Sequence, residues 1–250
     1  MTESENLLKN RLSELSRRAL SRGLYTCSEF LTIAEQDLLC GMSFDTGSAP
    51  FTLFGGYDAA ERRLACFGTE ELFGYPPKPP IACVRISPVS RKFADKLTHR
   101  DFLGSLMAVG VRRSVLGDII VRENEAHLFC LESVSGFITD QFQKVKHTDV
   151  RCFVTDAPEF TAEEPEPAEI NIASERLDAL ISAVYKLPRS ESQELILKGK
   201  VFINGRLTQN SSFSPAPGCV ISLRGLGRFS YEGIERETRK GRLKVLVRLY

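Results

Sequence analysis

The chain has no tryptophan, three methionines and three histidines in 250 residues. Its seven cysteines (Cys27, Cys40, Cys66, Cys83, Cys130, Cys152 and Cys219) are scattered, and none forms a C-x-x-C pair. Metal-ligand spacing is therefore absent, and at this length a disulfide framework is not expected. Such cysteine usage fits a reducing cytoplasm. No run of about 18 apolar residues occurs, so no membrane span is expected. The opening MTESENLLKNRLSEL is polar and helical in pattern and lacks the apolar core of a secretory signal. No nucleotide-binding glycine loop or methyltransferase-like loop is present, and the sequence implies no metal and no cofactor.

What is present is an ordinary globular composition, 42% hydrophobic and 26% charged, with a net charge of +1. That near-neutrality hides an asymmetry. Residues 171–250 hold 14 Lys+Arg against 7 Asp+Glu, a net +7, and residues 1–170 carry a net −6. A basic C-terminal third points to a polyanionic partner for that third, although small domains also carry excess charge for solubility.

Taken in order, residues 1–75 read as a small α+β unit. Leu7, Leu8, Leu12, Leu15 and Leu20 recur near helical spacing up to Gly23, and Phe30, Leu31, Ala34, Leu38 and Leu39 form a second stripe stopped by Gly41. PFTLFGG and RRLACFG read as two strands. Tyr75 to Pro80 is a stiff, proline-rich hinge. Residues 76–157 form a second α+β unit with the expected order β-α-α-β-β-α-β: strand IACVRISP, helices over Val89–Leu97 and Asp101–Gly110, strands IIVRE and HLFCLE, a helix around Gly136–Val145, and strand VRCFVTD. That order is near that of RNA-recognition-motif folds, without the aromatic signature those domains use to stack bases. Arg91, Lys92, Arg100, Arg112 and Arg113 give this unit a possible secondary RNA-binding surface; a solvated face of two ordinary helices explains them equally well. His99-Arg100-Asp101 has the form of a kinase catalytic triplet, but no glycine-rich loop or D-F-G accompanies it. Residues 158–170, with three prolines and five glutamates in PEFTAEEPEPAE, read as a disordered acidic linker.

The fold class expected is thus α+β and multi-domain, ending in an 80-residue module over 171–250. Ser174 is placed to cap a helix in which Leu177, Leu180, Ile181 and Val184 repeat at i, i+3, i+4, i+7. Leu187-Pro188 breaks it, and Ser190 with Gln193 has capping-box spacing for a second helix ended by Gly199. Asn204-Gly205 is a strong hairpin signal after strand VFI. Arg189 and Ser190 stand where a helix N-terminus would favour a phosphate. Arg176, Lys198, Lys200, Asn204 and Arg206 flank the same junctions.

These residues carry a resemblance. Ser174-x-Arg176-Leu177-Asp178, followed by Arg189-Ser190-x-x-Gln193-x-Leu195-Ile196-x-x-Gly199-x-Val201-x-Ile203-Asn204-Gly205, resembles the S4-type RNA-binding domain found in a small-subunit ribosomal protein, pseudouridine synthases and tyrosyl-tRNA synthetases. RGLGRF (Arg224–Phe229), the turn at 238–242 and LTHRDFLGSLMAVGVRRSVLGDIIV (Leu97–Val121) are similar to the YlmH family, in which an S4-type domain follows two N-terminal units. The resemblance implies a non-catalytic cytoplasmic protein whose partners are ribosomal RNA, tRNA and the large ribosomal subunit, acting in quality control of stalled subunits that carry peptidyl-tRNA. It implies RNA contacts at Arg176, Arg189, Ser190, Gln193, Lys198, Lys200, Asn204 and Arg206, with Arg224 and Arg228 as secondary candidates. Asp178 is expected to orient an arginine, and Glu191 stands where family members often carry a basic residue. Two other readings stay open: an RNA-modifying, pseudouridine-synthase-like enzyme that uses the module as a handle, and a protein-interaction adaptor.

Overall fold

Long apolar spacing in a leucine-rich opening produces α1 (Glu3–Arg22), the first element in a computed structural model that describes residues 3–44, 47–90, 95–158, 166–238 and 241–250. Of its stripe, Leu12 is buried and Leu8 and Leu15 pack against the core, but Leu7 and Leu20 face water. Strand β1 (Thr26–Cys27) leads to α2 (Ile33–Cys40). Thr32 and Glu35 fix the start of α2: the Glu35 carboxylate accepts from the Thr32 N–H at 2.7 Å, and the Glu35 N–H donates to Thr32 Oγ1 at 3.3 Å. This capping box stabilises the helix entry. Strands β2 (Phe51–Phe54) and β3 (Leu64–Phe67) complete a small antiparallel sheet in the order β1-β3-β2, followed by the single turn α3 (Glu70–Phe73).

The cysteine expectation needs correcting here. Cys27 and Cys66 face each other across β1 and β3 with their Cα atoms 4.2 Å apart, and they form a disulfide. Thirty-nine residues separate them, so only the strand register brings them together.

Next come β4 (Ile81–Pro88), α4 (His99–Ala108), β5 (Leu116–Arg122), β6 (Glu125–Leu131), α5 (Glu132–Gln141), β7 (Lys144–Val145) and β8 (Thr148–Thr155). Glu123 and Asn124 both have positive φ (48° and 66°), the backbone a two-residue hairpin between β5 and β6 requires. The strands form an antiparallel sheet ordered β5-β6-β4-β8-β7. One face is buried under α4 and α5 by Val84, Ile86, Phe102, Leu106, Leu128 and Ile138. The helix expected over Val89–Leu97 falls partly on residues outside those described, and Asp95–Leu97 is not helical.

The chain divides into two compact units, 1–162 and 163–250, so the segments separated at the Tyr75–Pro80 hinge share one unit. Phe30, Leu64 and Cys66 bury themselves with Cys83 and Phe129, which explains why a hinge of prolines does not part them. The acidic linker also needs correcting. Residues 159–165 lie outside the described residues, but Glu166–Ile172 is a strand, β9, paired antiparallel with the last strand of the chain. Alternation overrides the Pro/Glu composition there: Ala168, Ile170 and Ile172 face the core while Pro167, Glu169 and Asn171 are exposed.

The second unit continues with α6 (Leu177–Tyr185), α7 (Arg189–Leu197), β10 (Val201–Ile203), β11 (Arg206–Leu207), β12 (Cys219–Leu223), β13 (Gly227–Glu237) and β14 (Leu243–Leu249). Its sheet runs β11-β10-β12-β13-β14-β9. Leu177, Leu180, Ile181 and Ile196 from the helices close the core over Val201, Ile221, Phe229, Tyr231, Val245 and Val247.

Candidate nucleic-acid interface

The centre of the second unit's charged surface is a buried carboxylate. Asp178, the second residue of α6, is 0% exposed. Arg176 donates to it through Nε and Nη2 at 3.1 and 3.2 Å, Arg189 does the same from the start of α7 at 3.1 and 3.2 Å, and Gln193 Nε2 donates at 2.7 Å. Two bidentate forks and an amide thus meet on one side chain. Burial alone would raise the Asp178 pKa, but the hydrogen bonds from Arg176, Arg189 and Gln193 outweigh it and hold the carboxyl well below the ordinary carboxylate range. Two guanidinium groups against one carboxylate leave a net positive charge at the junction. The arginine side chains remain 37% and 47% exposed, so that charge is presented outward. Each fork is held in one geometry before any ligand arrives, which reduces the ordering cost of binding.

Local sequence explains the placement, with two corrections. Helix α6 is capped at Arg176 and not at Ser174, and α7 begins at Arg189 with Pro188 in the capping position and no side-chain cap. Proline favours the extended φ/ψ that precedes a helix, so the start falls one residue early. The amide of Gln193, expected to close a capping box, is committed to Asp178 instead. Exposed Ser190 follows Arg189 in the first turn, where helix N–H groups lack helical acceptors and the dipole favours anions. Glu191 shares that turn and opposes the effect.

The remaining predicted contacts fall into three kinds. Lys200 and Arg206 are exposed, and the Lys200 carbonyl accepts the Arg224 N–H at 2.9 Å, so Lys200 and Arg224 are neighbours. Arg224 lies over the Phe202 ring at 4.7 Å and Arg228 over the Tyr250 ring at 4.6 Å. Lys198 is exposed but ion-paired with Glu194 at 2.5 Å. Asn204 is tied into the hairpin: it sits at φ 47°, its Oδ1 accepts from the Val220 N–H at 2.8 Å, and its own N–H donates to Val220 O at 2.8 Å. Phe202, whose ring supports Arg224, was not legible as part of the surface because it lies in an alternating strand.

In the first unit, Arg91 and Lys92 lie outside the described residues. Arg100 is exposed on α4, and Arg112 pairs with Glu29 at 2.9 Å. Arg113 turns inward, donating to the carbonyls of Leu116 and Gly117 at 2.9 Å each, and burial, followed by the nearby Arg62, pushes its pKa down to about 10. It is a part-buried arginine held by backbone carbonyls. Among the described residues no cluster of His, Cys, Asp and Glu could hold a metal ion, and no helix is long and apolar enough to cross a membrane.

Residues 81–159 match the family model described as "Putative RNA-binding domain in YlmH", and residues 175–221 match the S4 domain. The chain is 30% identical over 225 residues to the ribosome-associated protein quality control protein P2 of Bacillus subtilis (strain 168), covering 87% of this chain and 84% of that one. A solved structure titled cell division protein ylmH from Streptococcus pneumoniae superposes with a TM-score of 0.51 at 15% identity, over 62% of this chain and 93% of that one, a likeness of fold alone. With the S4 match lying over the Asp178 cluster and the relative matching along most of both lengths, the chain belongs to the YlmH family.

Proposed function

We propose that this protein binds ribosomal RNA and tRNA on the large ribosomal subunit and acts in the cytoplasm, without catalysing a reaction, in quality control of stalled subunits that carry peptidyl-tRNA. The observation that carries the reading is the pair of guanidinium forks set on buried Asp178, beside the start of α7. Phosphate is what such preorganised, outward-facing arginines recognise best. The Bacillus subtilis relative's name supplies the setting, ribosome-associated quality control. The finer fold reading, an RRM-like middle domain, is supported by the strand order β5-β6-β4-β8 and the β-α-β-β-α-β succession.

The arrangement disfavours an RNA-modifying enzyme built on Asp178. A catalytic carboxylate must reach the reacting atoms. Asp178 has no exposed surface, and both its oxygens already accept hydrogen bonds.

Reversing Arg176 and Arg189 is a poor test, because two new carboxylates against Asp178 would unfold the module. Lys200→Glu with Arg206→Glu reverses two exposed charges away from that cluster. Co-sedimentation with purified large subunits should fall by at least about ten-fold with the thermal transition unchanged. Arg189→Lys, which keeps the charge and loses the fork, should lower it more modestly. Undiminished sedimentation in both variants overturns the proposal.

A further inference from the structure

The five-stranded sheet of the first unit has one face that α4 and α5 leave uncovered. Ala82, Val84 and Ile86 of β4, Ala126, Leu128 and Cys130 of β6, and Val150 and Cys152 of β8 point to the helices, so the alternate residues point away. That second face is divided. At one end Cys83 and Phe129 are sealed by Phe30, Leu64 and Cys66, and Tyr57 stacks on Phe129 at 5.0 Å.

The other end is open and differs in chemistry. Phe153, Arg85 and His127 are direct cross-strand neighbours and form one row. The next row holds Arg151 opposite Ser87, and Arg122 opposite Glu125. Phe153 is 57% exposed in mid-strand, although the sealed end shows that this face buries its aromatic residues where an apolar partner exists. Two arginines flank it, Arg85 opposite on β4 and Arg151 two residues away on the same face of β8, and Arg122 lies across the sheet on β5. The acid among them, Glu125, accepts both Nε and Nη2 of Arg85 at 2.9 and 2.7 Å, and Asp149 further along β8 has Lys144 at 3.9 Å. Arg151 makes no ion pair among the described residues. Burial, then Arg85, holds His127 toward its neutral form, with Arg122 adding to the effect against Glu125, so these charges act on one patch.

An exposed ring among arginines, with each acid matched to a cation, has the features that recognise an unpaired base and its flanking phosphates. We propose that this open half of the sheet face is a binding site for single-stranded RNA, in which a base stacks on Phe153 and adjacent phosphates meet Arg151 and Arg85. The site rests on the reading of the protein as RNA-binding but uses a surface separate from the Asp178 cluster. It also qualifies the expectation that this domain lacks a stacking aromatic. Phe153 stands alone on the last long strand of the sheet and in no aromatic motif.

The test uses the full chain carrying Lys200→Glu and Arg206→Glu, which lowers the contribution of the C-terminal surface. Affinity is read by fluorescence anisotropy for a labelled uridine-rich single strand of roughly ten nucleotides and for an RNA duplex. Phe153→Ala should weaken single-strand binding about ten-fold, the size of one stacked base, and leave duplex binding unchanged. Phe153→Tyr should restore it, and Arg151→Glu should weaken it at least as much as Phe153→Ala. Unaltered single-strand affinity in Phe153→Ala overturns the proposal whatever Arg151→Glu does, and so does an equal loss on the duplex. If that occurs while Lys200→Glu with Arg206→Glu still lowers ribosome association by about ten-fold or more, the sheet site falls and the function proposed above stands.

Discussion

Two aspartates, one in each compact unit, do opposite things with similar neighbours. Asp118 accepts the Tyr57 hydroxyl at 2.9 Å and the backbone N–H groups of Glu61 and Arg62 at 2.7 and 3.1 Å. The Arg62 guanidinium is then free to turn inward onto the carbonyls of Leu116, Phe30 and Arg113 at 2.8, 3.0 and 3.3 Å. Asp118 and Arg62 tie two stretches of chain together, and none of the arginine's charge is spent at the surface. Asp178 instead gathers side chains, and the two guanidinium groups it holds stay part-exposed. An arginine keeps part of its guanidinium exposed when its acceptor is a side chain beneath it, as at Asp178, and turns inward when its acceptors are carbonyls around it, as at Arg62. Sequence neighbours do not distinguish the two cases; the tertiary acceptor does.

Removing the carboxylates should separate the two roles, and Asp178 should give the larger effect. Asp178→Asn leaves two adjacent guanidinium groups facing an amide that can donate to neither. Breaking a buried pair of this kind costs about 3 kcal/mol. Urea unfolding should show that loss in the C-terminal unit, with RNA affinity falling in parallel. The pH dependence has a definite sign. The folded-state carboxyl titrates below its unfolded value, so its stabilisation is complete above about pH 4 and is lost as pH falls through the folded pKa. The difference in urea midpoint between the parent and Asp178→Asn should therefore be flat at neutral pH and shrink below about pH 4. A constant difference down to pH 2 would show that the carboxylate's charge is not what the arginines use.

Asp118→Ala should be purely structural. It removes the acceptor of two backbone N–H groups and one hydroxyl in a part-buried site. A cost of about 2 kcal/mol to the first unit follows from leaving such donors unpaired. RNA and ribosome binding at a temperature where the variant is folded should match the parent. A binding defect there would erase the distinction drawn between the two aspartates.

How much of this was legible beforehand follows the range of the interactions. The helices α6 and α7 and the hairpin at Asn204-Gly205 rest on local spacing, and they stand within a residue or two of where the sequence puts them. That Asp178 orients an arginine was expected from the resemblance, since a carboxylate beside phosphate is repelled, and Arg176 is one such arginine. That it holds Arg189 and Gln193 as well, 11 and 15 residues off, depends on how the helices pack. Strand β9 was hidden by its glutamates and prolines, which suit a linker until β14 supplies a partner for its backbone. The inward hold on Arg113 was not legible, because the Leu116 and Gly117 carbonyls that accept from it become neighbours only in the folded turn. The exposed Phe153 is a single residue whose meaning comes from strand register, since Arg85 and His127 reach it only across the sheet.

The smallest expected effect concerns Asn204, where resemblance and geometry disagree. The resemblance makes it an RNA contact, but its side-chain oxygen accepts the Val220 N–H and its backbone occupies the left-handed region. Asparagine suits that backbone better than other side chains do, because its short polar group bonds locally. Asn204→Ala should lose one hydrogen bond and add backbone strain, about 1 kcal/mol in all, read as a lower denaturation midpoint of the C-terminal unit. Asn204→Asp keeps an oxygen acceptor for Val220 while adding a negative charge. If Asn204 only braces the turn, the aspartate variant retains stability and changes RNA affinity by no more than the charge of an added surface acid. If it touches RNA, the aspartate variant folds normally and loses binding more severely than Asn204→Ala. The two variants therefore rank in opposite orders for the two roles, and the bracing role is the one the Val220 contact supports.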